Sequence, residues 1–159
     1  MKACIYGAGA IGSWMGMALA QAGCQLSLVA RGATLAALQA NGLRLRRPDG
    51  TVAHTPVTAH ADPATLGVQD LVVLAVKAPG LPDVACAIAP LIGPETIVLT
   101  AMNGVPWWFL DGFGGAAEGH ALTSVDAGGV IASAIPARNV VGSVVHTSSA
   151  ESLSAQPGL

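Results

Sequence analysis

The opening segment Lys2–Gly12, KACIYGAGAIG, decides how the rest of the chain is interpreted. Its first part, Lys2–Tyr6, predicts a short buried strand that leads directly into Gly7–Gly12, which has the G-x-G-x-x-G spacing. The apolar, small-residue segment 10–22 that follows has helical rather than alternating character. A glycine pattern of this spacing between a strand and a helix is the fingerprint of dinucleotide binding. We therefore predict a nucleotide site at the start of the chain.

Each glycine of the fingerprint has a physical role in that interpretation. Gly7 permits the tight turn after the strand, Gly9 lets the backbone approach a pyrophosphate, and Gly12 allows the helix to pack against the sheet. The free N–H groups and the positive dipole end of the helix then face the phosphates.

The composition favours one globular domain and excludes several classes of protein. Of 159 residues, 52% are apolar and only 10% are charged, against roughly 25% charged in ordinary soluble domains. A net charge of −2 with seven scattered Lys and Arg offers no basic stripe for nucleic acid. The strongest apolar run, Leu71–Val76, is far shorter than the about 20 residues of a spanning helix. We expect a soluble protein without a membrane segment.

Cysteine and histidine spacing argues against metal and disulfide sites. Three cysteines form no CxxC pair, and the four histidines show no ligand spacing. We therefore expect no metal site and a reducing, cytoplasmic location.

Arg31 indicates which cofactor the fingerprint takes. It stands at the end of a second predicted strand, Gln25–Ala30, and no acidic residue occurs between Gly12 and Asp49. In such folds an acidic residue about 20 positions after the glycines binds the ribose of NAD, whereas an Arg accommodates the 2′-phosphate of NADP. The sequence therefore favours NADP(H) over NAD(H). The alternative is a solvated Arg at a strand end.

The remaining pattern predicts a Rossmann-like, doubly wound α/β fold with a mostly parallel sheet. We predict strands over 70–76, 96–100, 121–125, 130–135 and 140–146, helices over 33–40 and 81–91 with a short one from Pro106, and an edge hairpin from 43–47 and 51–58.

Two polar residues follow neighbouring predicted strands, at the edge where open α/β sheets bind ligands. They are Lys77, after strand 70–76, and Asn103, after strand 96–100. We predict a role in the site for both, although a solvated lysine and an ordinary Asn-Gly turn are the alternatives. The adjacent Trp107 and Trp108 are interpreted mainly as packing residues, with a wall of the substrate cleft as the second interpretation.

Together, GAGAIG at 7–12, Arg31, VKA at 76–78 and MNG at 102–104 resemble the ketopantoate reductase (2-dehydropantoate 2-reductase) family. The stretches SVDAGG (124–129) and VVGSVVH (140–146) resemble the end of that family's nucleotide domain. The resemblance covers nearly the whole chain.

The resemblance implies an enzyme, an NADP-dependent oxidoreductase that transfers hydride from NADPH to the C2 carbonyl of a 2-oxo acid. The product in that family is pantoate, for pantothenate and coenzyme A synthesis. Lys77 and Asn103 would then lie beside the nicotinamide and the substrate as catalytic residues. The implied cofactor-binding residues are Gly7, Ala8, Gly9, Ala10, Ile11, Gly12, Arg31, Lys77, Asn103 and Thr147.

Members of the family continue into a helical C-terminal domain that supplies the catalytic lysine acid, and this chain ends before any counterpart. We therefore interpret residues 1–159 as one dinucleotide-binding domain that stops before its last strands and is by itself inactive. The alternatives are a reductase of another 2-oxo acid or imine in the same superfamily, and a non-catalytic NADP-binding or sensing module. The expected partner is a small 2-oxo acid. The sequence leaves open whether the protein forms a homo-oligomer.

Overall fold

A computed structural model of the chain describes residues 1–146, which form a six-stranded parallel sheet flanked by helices and a separate hairpin. The strands are β1 (Lys2–Tyr6), β2 (Gln25–Val29), β3 (Leu43–Arg46), β4 (Val52–Thr55), β5 (Thr58–His60), β6 (Leu71–Leu74), β7 (Ile97–Ala101) and β8 (Val140–Ser143). The helices are α1 (Ala10–Gln21), α2 (Gly32–Asn41), α3 (Leu81–Ala85) and α4 (Val130–Ala134). Short 3-10 turns connect several of them.

The strand order of the large sheet is β5-β2-β1-β6-β7-β8, with every neighbouring pair parallel. The chain builds outward from β1 to one side and then returns to build outward from β6 on the other. This is the order of a doubly wound dinucleotide-binding sheet, whose ligand crevice lies where the strand order reverses. The predicted fold class is confirmed, and the reversal lies between β1 and β6.

Side chains of each central strand alternate between two cores, one on each face of the sheet. From β1, Ala3 and Ile5 belong to the core that contains Met17 of α1 and Leu38 of α2. Cys4 and Tyr6 belong to the other core, which the following side chains complete from α3 and α4: Leu81, Val84 and Ile131. Because both faces are covered, the central strands read as continuous apolar runs.

The hairpin is confirmed, but it does not lie at the edge of the main sheet. β3 and β4 pair antiparallel as a sheet of their own, and Leu43 of β3 is buried in the core beside α1. The edge strand is instead β5, which begins after the hairpin at Thr58 and pairs with β2. The predicted second hairpin strand therefore combined two separate elements.

The region after β7 was predicted less well. Residues 121–125 form turns instead of a strand, and residues 130–135 contain helix α4. The last strand ends at Ser143 instead of continuing to 146. The segment after Pro106 forms hydrogen-bonded turns and not a helix. The helix predicted over 81–91 ends at Ala85, and a 3-10 turn follows at Ala89–Leu91, where Pro90 interrupts helical bonding.

No helix within residues 1–146 is both long enough and apolar enough to cross a bilayer.

Candidate functional site

A cavity of about 240 Å³ lies at the carboxyl ends of β1, β2 and β6, beside the point between β1 and β6 where the strand order reverses. Parallel pairing sets Tyr6 of β1 beside Val29 of β2, so the loops that leave these strands meet at one edge. The residues lining the cavity are Tyr6, Gly7, Ala8, Gly9, Val29, Ala30, Arg31, Thr34, Val76, Gly80, Asp83 and Val84. The glycine turn and Arg31, far apart in sequence, thus share one site.

Two glycines of the fingerprint are required by the packing of this turn. Gly7 has a φ of +99°, and a Cβ there would lie 2.7 Å from Cγ1 of Val76. A Cβ on Gly12 would overlap the carbonyl oxygen of Gly7 and lie 2.9 Å from Cγ2 of Ile5. Since real Cβ atoms avoid such separations, only glycine lets the start of α1 pack this closely on β1.

The N-terminus of α1 is left open to a ligand. Gly9, in extended conformation, precedes the helix without a capping side chain, and the first turn contains no acidic residue. The first helical hydrogen bond is the one from the Ser13 amide to the Gly9 carbonyl, at 2.8 Å. The amides of residues 10–12 precede it and therefore have no helical acceptor. Free amides and the positive end of the helix dipole favour an anionic group here.

Arg31 lies between β2 and α2, directly before the first residue of α2, and it lies on the wall of the same cavity. Its Nη1 atom lies 3.8 Å from Oδ2 of Asp83, and the two side chains are 64% and 76% exposed. An ion pair this exposed contributes little to stability, because water and salt screen both charges. The guanidinium therefore remains available to an incoming anion.

Asp83 is the residue that sequence reasoning missed. The absence of an acidic residue between Gly12 and Asp49 argued for NADP, yet the fold brings a carboxylate to Arg31 from the first turn of α3. The sequence indicated the position of Asp83 only indirectly. Its helix, α3, follows β6, and the first turn of a helix after a parallel strand lies at the carboxyl edge of the sheet. Proximity to Arg31 depends on the strand order, which no local motif encodes.

Tyr6 forms part of the cavity floor and is 4% exposed. Its hydroxyl has no hydrogen-bond partner within residues 1–146. Burial raises the pKa of this phenol, and the positive charge of Arg31 opposes part of that rise. The hydroxyl is therefore neutral near pH 7 and is a donor without an acceptor.

A larger cavity of about 640 Å³ lies at the carboxyl ends of β7 and β8. Helix α3 borders both cavities, since Leu81 and Pro82 line the larger one while Asp83 and Val84 line the smaller. The remaining walls of the larger cavity are mostly apolar, with polar groups from Thr100, Asn103, Ser124 and Ser143. An apolar cleft with a few polar groups is typical of small-molecule sites.

Asn103 lies on the wall of this larger cavity, as predicted for a residue at the sheet edge, but its amide is already engaged. Nδ2 donates to the carbonyl oxygen of Val145 at 3.1 Å, and Oδ1 accepts from the Val145 amide at 2.8 Å. The side chain therefore fixes the segment that follows β8. One N–H of the amide remains for a ligand, because the group carries two.

Lys77 follows β6 at the same sheet edge and is exposed. Its side chain forms no ion pair with any other residue of the described part of the chain, 1–146. It lines neither cavity, although the next residue, Ala78, lines the larger one. Lys77 therefore lies at the carboxyl edge of the sheet but not on the wall of either cavity.

The two tryptophans have different positions. Trp107 is buried in the core, and the centroid of its ring lies 4.4 Å from the ring centroid of Trp108 in an edge-to-face arrangement. Trp108 is half-buried and lines the larger cavity. Trp107 is therefore a packing residue, whereas Trp108 forms part of the wall of the larger cavity.

Thr147 lies outside the described residues. Within 1–146, no three His, Cys, Asp or Glu side chains lie together in a way that could hold a metal ion.

Comparison with known proteins places this architecture in a family. Residues 3–106 match the family model described as ketopantoate reductase PanE/ApbA. The chain is 52% identical over 147 residues to 2-dehydropantoate 2-reductase of Mesorhizobium japonicum, covering 92% of this chain and 45% of that protein. A solved structure of a proposed ketopantoate reductase from Ralstonia solanacearum MolK2 superposes with a TM-score of 0.87 at 55% identity, covering 92% of this chain and 45% of that one.

A more distant relative carries a different name. Glycerol-3-phosphate dehydrogenase [NAD(P)+] of Streptomyces avermitilis is 36% identical over 109 residues, which cover 66% of this chain and 32% of that protein. The chain spans less than half the length of each of these relatives. Because the family model matches most of the described residues, the chain belongs to the ketopantoate reductase family of oxidoreductases.

Proposed function

We propose that this chain binds NADPH across the edge of the sheet and forms the cofactor-binding part of a 2-oxo acid reductase. The observation that carries the proposal is that Arg31 and the glycine turn, which leads into the open N-terminus of α1, line one cavity where the strand order reverses. The pyrophosphate would lie on the amides at the start of α1, and the turn Gly7–Gly12 leaves room for it.

Arg31 is proposed to bind the 2′-phosphate of the cofactor. Its guanidinium is always charged, and its planar donor fork suits a phosphate. It belongs to the loop after β2, which reaches the adenosine ribose in sheets of this order. The nicotinamide would then extend past α3 toward the larger cavity. Thr147, proposed from the family resemblance to contact the cofactor, is not among the described residues.

The proposed reaction is the reduction of 2-dehydropantoate to pantoate, as the names of the relatives suggest. The bound cofactor would supply a hydride to the C2 carbonyl carbon, and the carbonyl oxygen would gain negative charge before taking up a proton. The Lys77 cation and the free N–H of Asn103 are proposed to stabilise that charge. The proton donor and most of the substrate contacts are proposed to come from the part of the enzyme that the relatives' greater length contains.

Exposed apolar side chains support that division of labour. Val105, Phe109 and Val144 line the larger cavity and are each about half exposed or more. Apolar groups clustered around a cleft commonly mark a surface that another protein part covers. We propose that the second half of the enzyme packs here and closes the substrate site.

The cofactor part is tested by titrating the 159-residue chain with NADPH and with NADH, following the fluorescence of the reduced nicotinamide. We expect tighter binding of NADPH, and we expect Arg31→Ala to remove that preference. Arg138→Ala is the matched control, because Arg138 is exposed and precedes β8 at the opposite end of the sheet. Equal affinity for the two cofactors in the unsubstituted chain would contradict the proposed role of Arg31.

The reaction is tested by adding 2-dehydropantoate to the chain with NADPH and following loss of reduced nicotinamide absorbance. Little or no turnover is expected from this chain alone, whereas a version extended to the relatives' full length should oxidise NADPH. Rapid turnover by the 159 residues would show that the proton donor lies within them. Binding of NADPH without turnover by the extended version on any 2-oxo acid would favour a sensing module.

A further inference from the structure

We propose that Asp83 lowers the preference of this site for NADPH over NADH, because its carboxylate competes with the 2′-phosphate for Arg31. The inference rests on the cofactor role proposed above for Arg31. It adds a specificity-determining residue from α3 to a site that the glycine turn and the end of β2 otherwise form.

The geometry of the pair permits competition instead of a fixed structural contact. Nη1 of Arg31 and Oδ2 of Asp83 are 3.8 Å apart, which is an ion-pair separation but too long for a hydrogen bond. Both side chains are mostly exposed, so the pair is only weakly held. A phosphate that offers charge-assisted hydrogen bonds can therefore displace the carboxylate from the guanidinium.

The two residues reach each other from opposite faces of the sheet. Arg31 directly precedes α2, whose Leu38 packs into one core, whereas Asp83 belongs to α3, whose Val84 packs into the other. The ion pair therefore bridges the edge of the sheet between the two layers. The backbone of each residue is positioned independently of the ion pair, Arg31 by the start of α2 and Asp83 by α3, so removing one charge leaves the other residue in the cavity wall.

The charges around the cavity make the effect specific to the 2′-phosphate. Among the lining residues, only Arg31 and Asp83 carry a charge, since the Tyr6 phenol is neutral. A phosphate entering the cavity therefore meets a pair whose net charge is zero. Asp83→Asn would leave a net charge of +1 facing the phosphate. NADH presents an uncharged ribose hydroxyl at this position and gains little from that change.

The size of the effect follows from the exposure of the charges. Water and salt screen charge pairs at a protein surface, so one such pair changes an affinity by no more than about fivefold. The phosphate carries nearly two charges, so the affinity for NADPH should rise about three- to tenfold in Asp83→Asn. The affinity for NADH should change less than about twofold on the same grounds.

The experiment measures dissociation constants for NADPH and NADH in the unsubstituted chain, in Asp83→Asn and in Glu95→Gln, at low ionic strength. Glu95 is an exposed acid before β7, at the end of the sheet opposite to the cavity, so its substitution removes the same charge without touching the site. We expect the NADPH-to-NADH affinity ratio to rise only in Asp83→Asn, and to lose this gain at high salt.

The outcomes separate this inference from the proposed function. If the unsubstituted chain prefers NADPH through Arg31 but Asp83→Asn leaves the ratio unchanged, or changes both affinities equally, the role of Asp83 is wrong and the cofactor role stands. An equal rise in Glu95→Gln would show a nonspecific charge effect and also overturn it. If the folded chain binds neither cofactor, both proposals fail.

Discussion

The side-chain amide of Asn103 pairs with the backbone of Val145 through two hydrogen bonds, one donated at 3.1 Å and one accepted at 2.8 Å. The backbone pairing of β7 with β8 ends at Ala101 and Ser143. Asn103 and Val145 each lie two residues beyond that last pair, so the amide continues the ladder with a side chain in place of the backbone. The pairing therefore holds the segment after β8 beside the end of β7.

Replacing Asn103 with Ala should therefore loosen the segment after β8. The Val145 amide loses its acceptor, and the free energy of unfolding falls by about 1 kcal/mol. The measurement is the hydrogen exchange of the Val145 amide, which we expect to accelerate in Asn103→Ala. Asn103→Asp is the control, because it keeps the acceptor and should preserve much of the protection. Unchanged exchange in Asn103→Ala would show that the pairing does not order this segment.

Gly12→Ala should destabilise the fold strongly. The added methyl group overlaps the carbonyl oxygen of Gly7 and presses on Ile5, so the expected loss is about 3 kcal/mol in urea unfolding. Gly16→Ala is the matched control in the same helix. Its Cβ would lie 3.2 Å from Ile5 and 3.3 Å from Leu43, which are tight but tolerable separations. Equal losses in the two variants would contradict the special closeness at Gly12.

Asp126→Ala should remove about 2 kcal/mol from the free energy of unfolding. Asp126 is buried, and its two carboxylate oxygens each accept a backbone N–H at 2.9 Å, from Ile131 and from Ala132 at the start of α4. Substitution leaves both donors without that acceptor. Asp111→Ala, at an exposed acid in a turn, serves as control and should change stability little. A loss no larger than that of the control would contradict this capping role.

Cys4 should resist alkylation at pH 8, whereas Cys86 should react. Burial raises the pKa of the Cys4 thiol to about 12, so almost no thiolate forms, while Cys86 is exposed. Peptide mass spectrometry after iodoacetamide treatment makes the measurement, and rapid labelling of Cys4 in the folded chain would contradict its burial. Because folding raises this pKa, its contribution to stability is complete below the ordinary thiol pKa and is lost as pH rises toward 12.

The N-terminal half of the fold was predictable because its signals are local. The strand, the glycine turn and the helix follow one another within Lys2–Gln21, and the Asn41-Gly42 end of α2 is a local signal too. The placement of Arg31 beside the turn follows from the motif alone. The physical reason is that β1 and β2 are parallel neighbours, which fixes where both of their loops emerge.

The region after β7 was harder to predict from the sequence, because its helix and strand depend on tertiary contacts. The segment of α4 is apolar and β-branched enough to predict a strand, but Gly128 and Gly129 have positive φ and Asp126 caps the residues that follow. Likewise, β8 ends at Ser143, and beyond it the backbone of Val145 pairs with the side chain of Asn103 from the end of β7. No pattern within either segment encodes these partners.

The same limit applied to the site. Asp83 was invisible because its relation to Arg31 exists only once α3 is packed beside the first two strands. Lys77 and Asn103 were correctly assigned to strand ends at one edge, yet local spacing could not tell that only Asn103 lines the cleft.

The central claim is that NADPH lies across this edge with its pyrophosphate on α1 and its 2′-phosphate at Arg31. A crystal structure of the chain grown with NADPH tests it most directly. We expect pyrophosphate density within hydrogen-bond distance of the amides at residues 10–12 and the 2′-phosphate in contact with the Arg31 guanidinium. Density for the cofactor in another place, or a 2′-phosphate turned away from Arg31, would contradict the account.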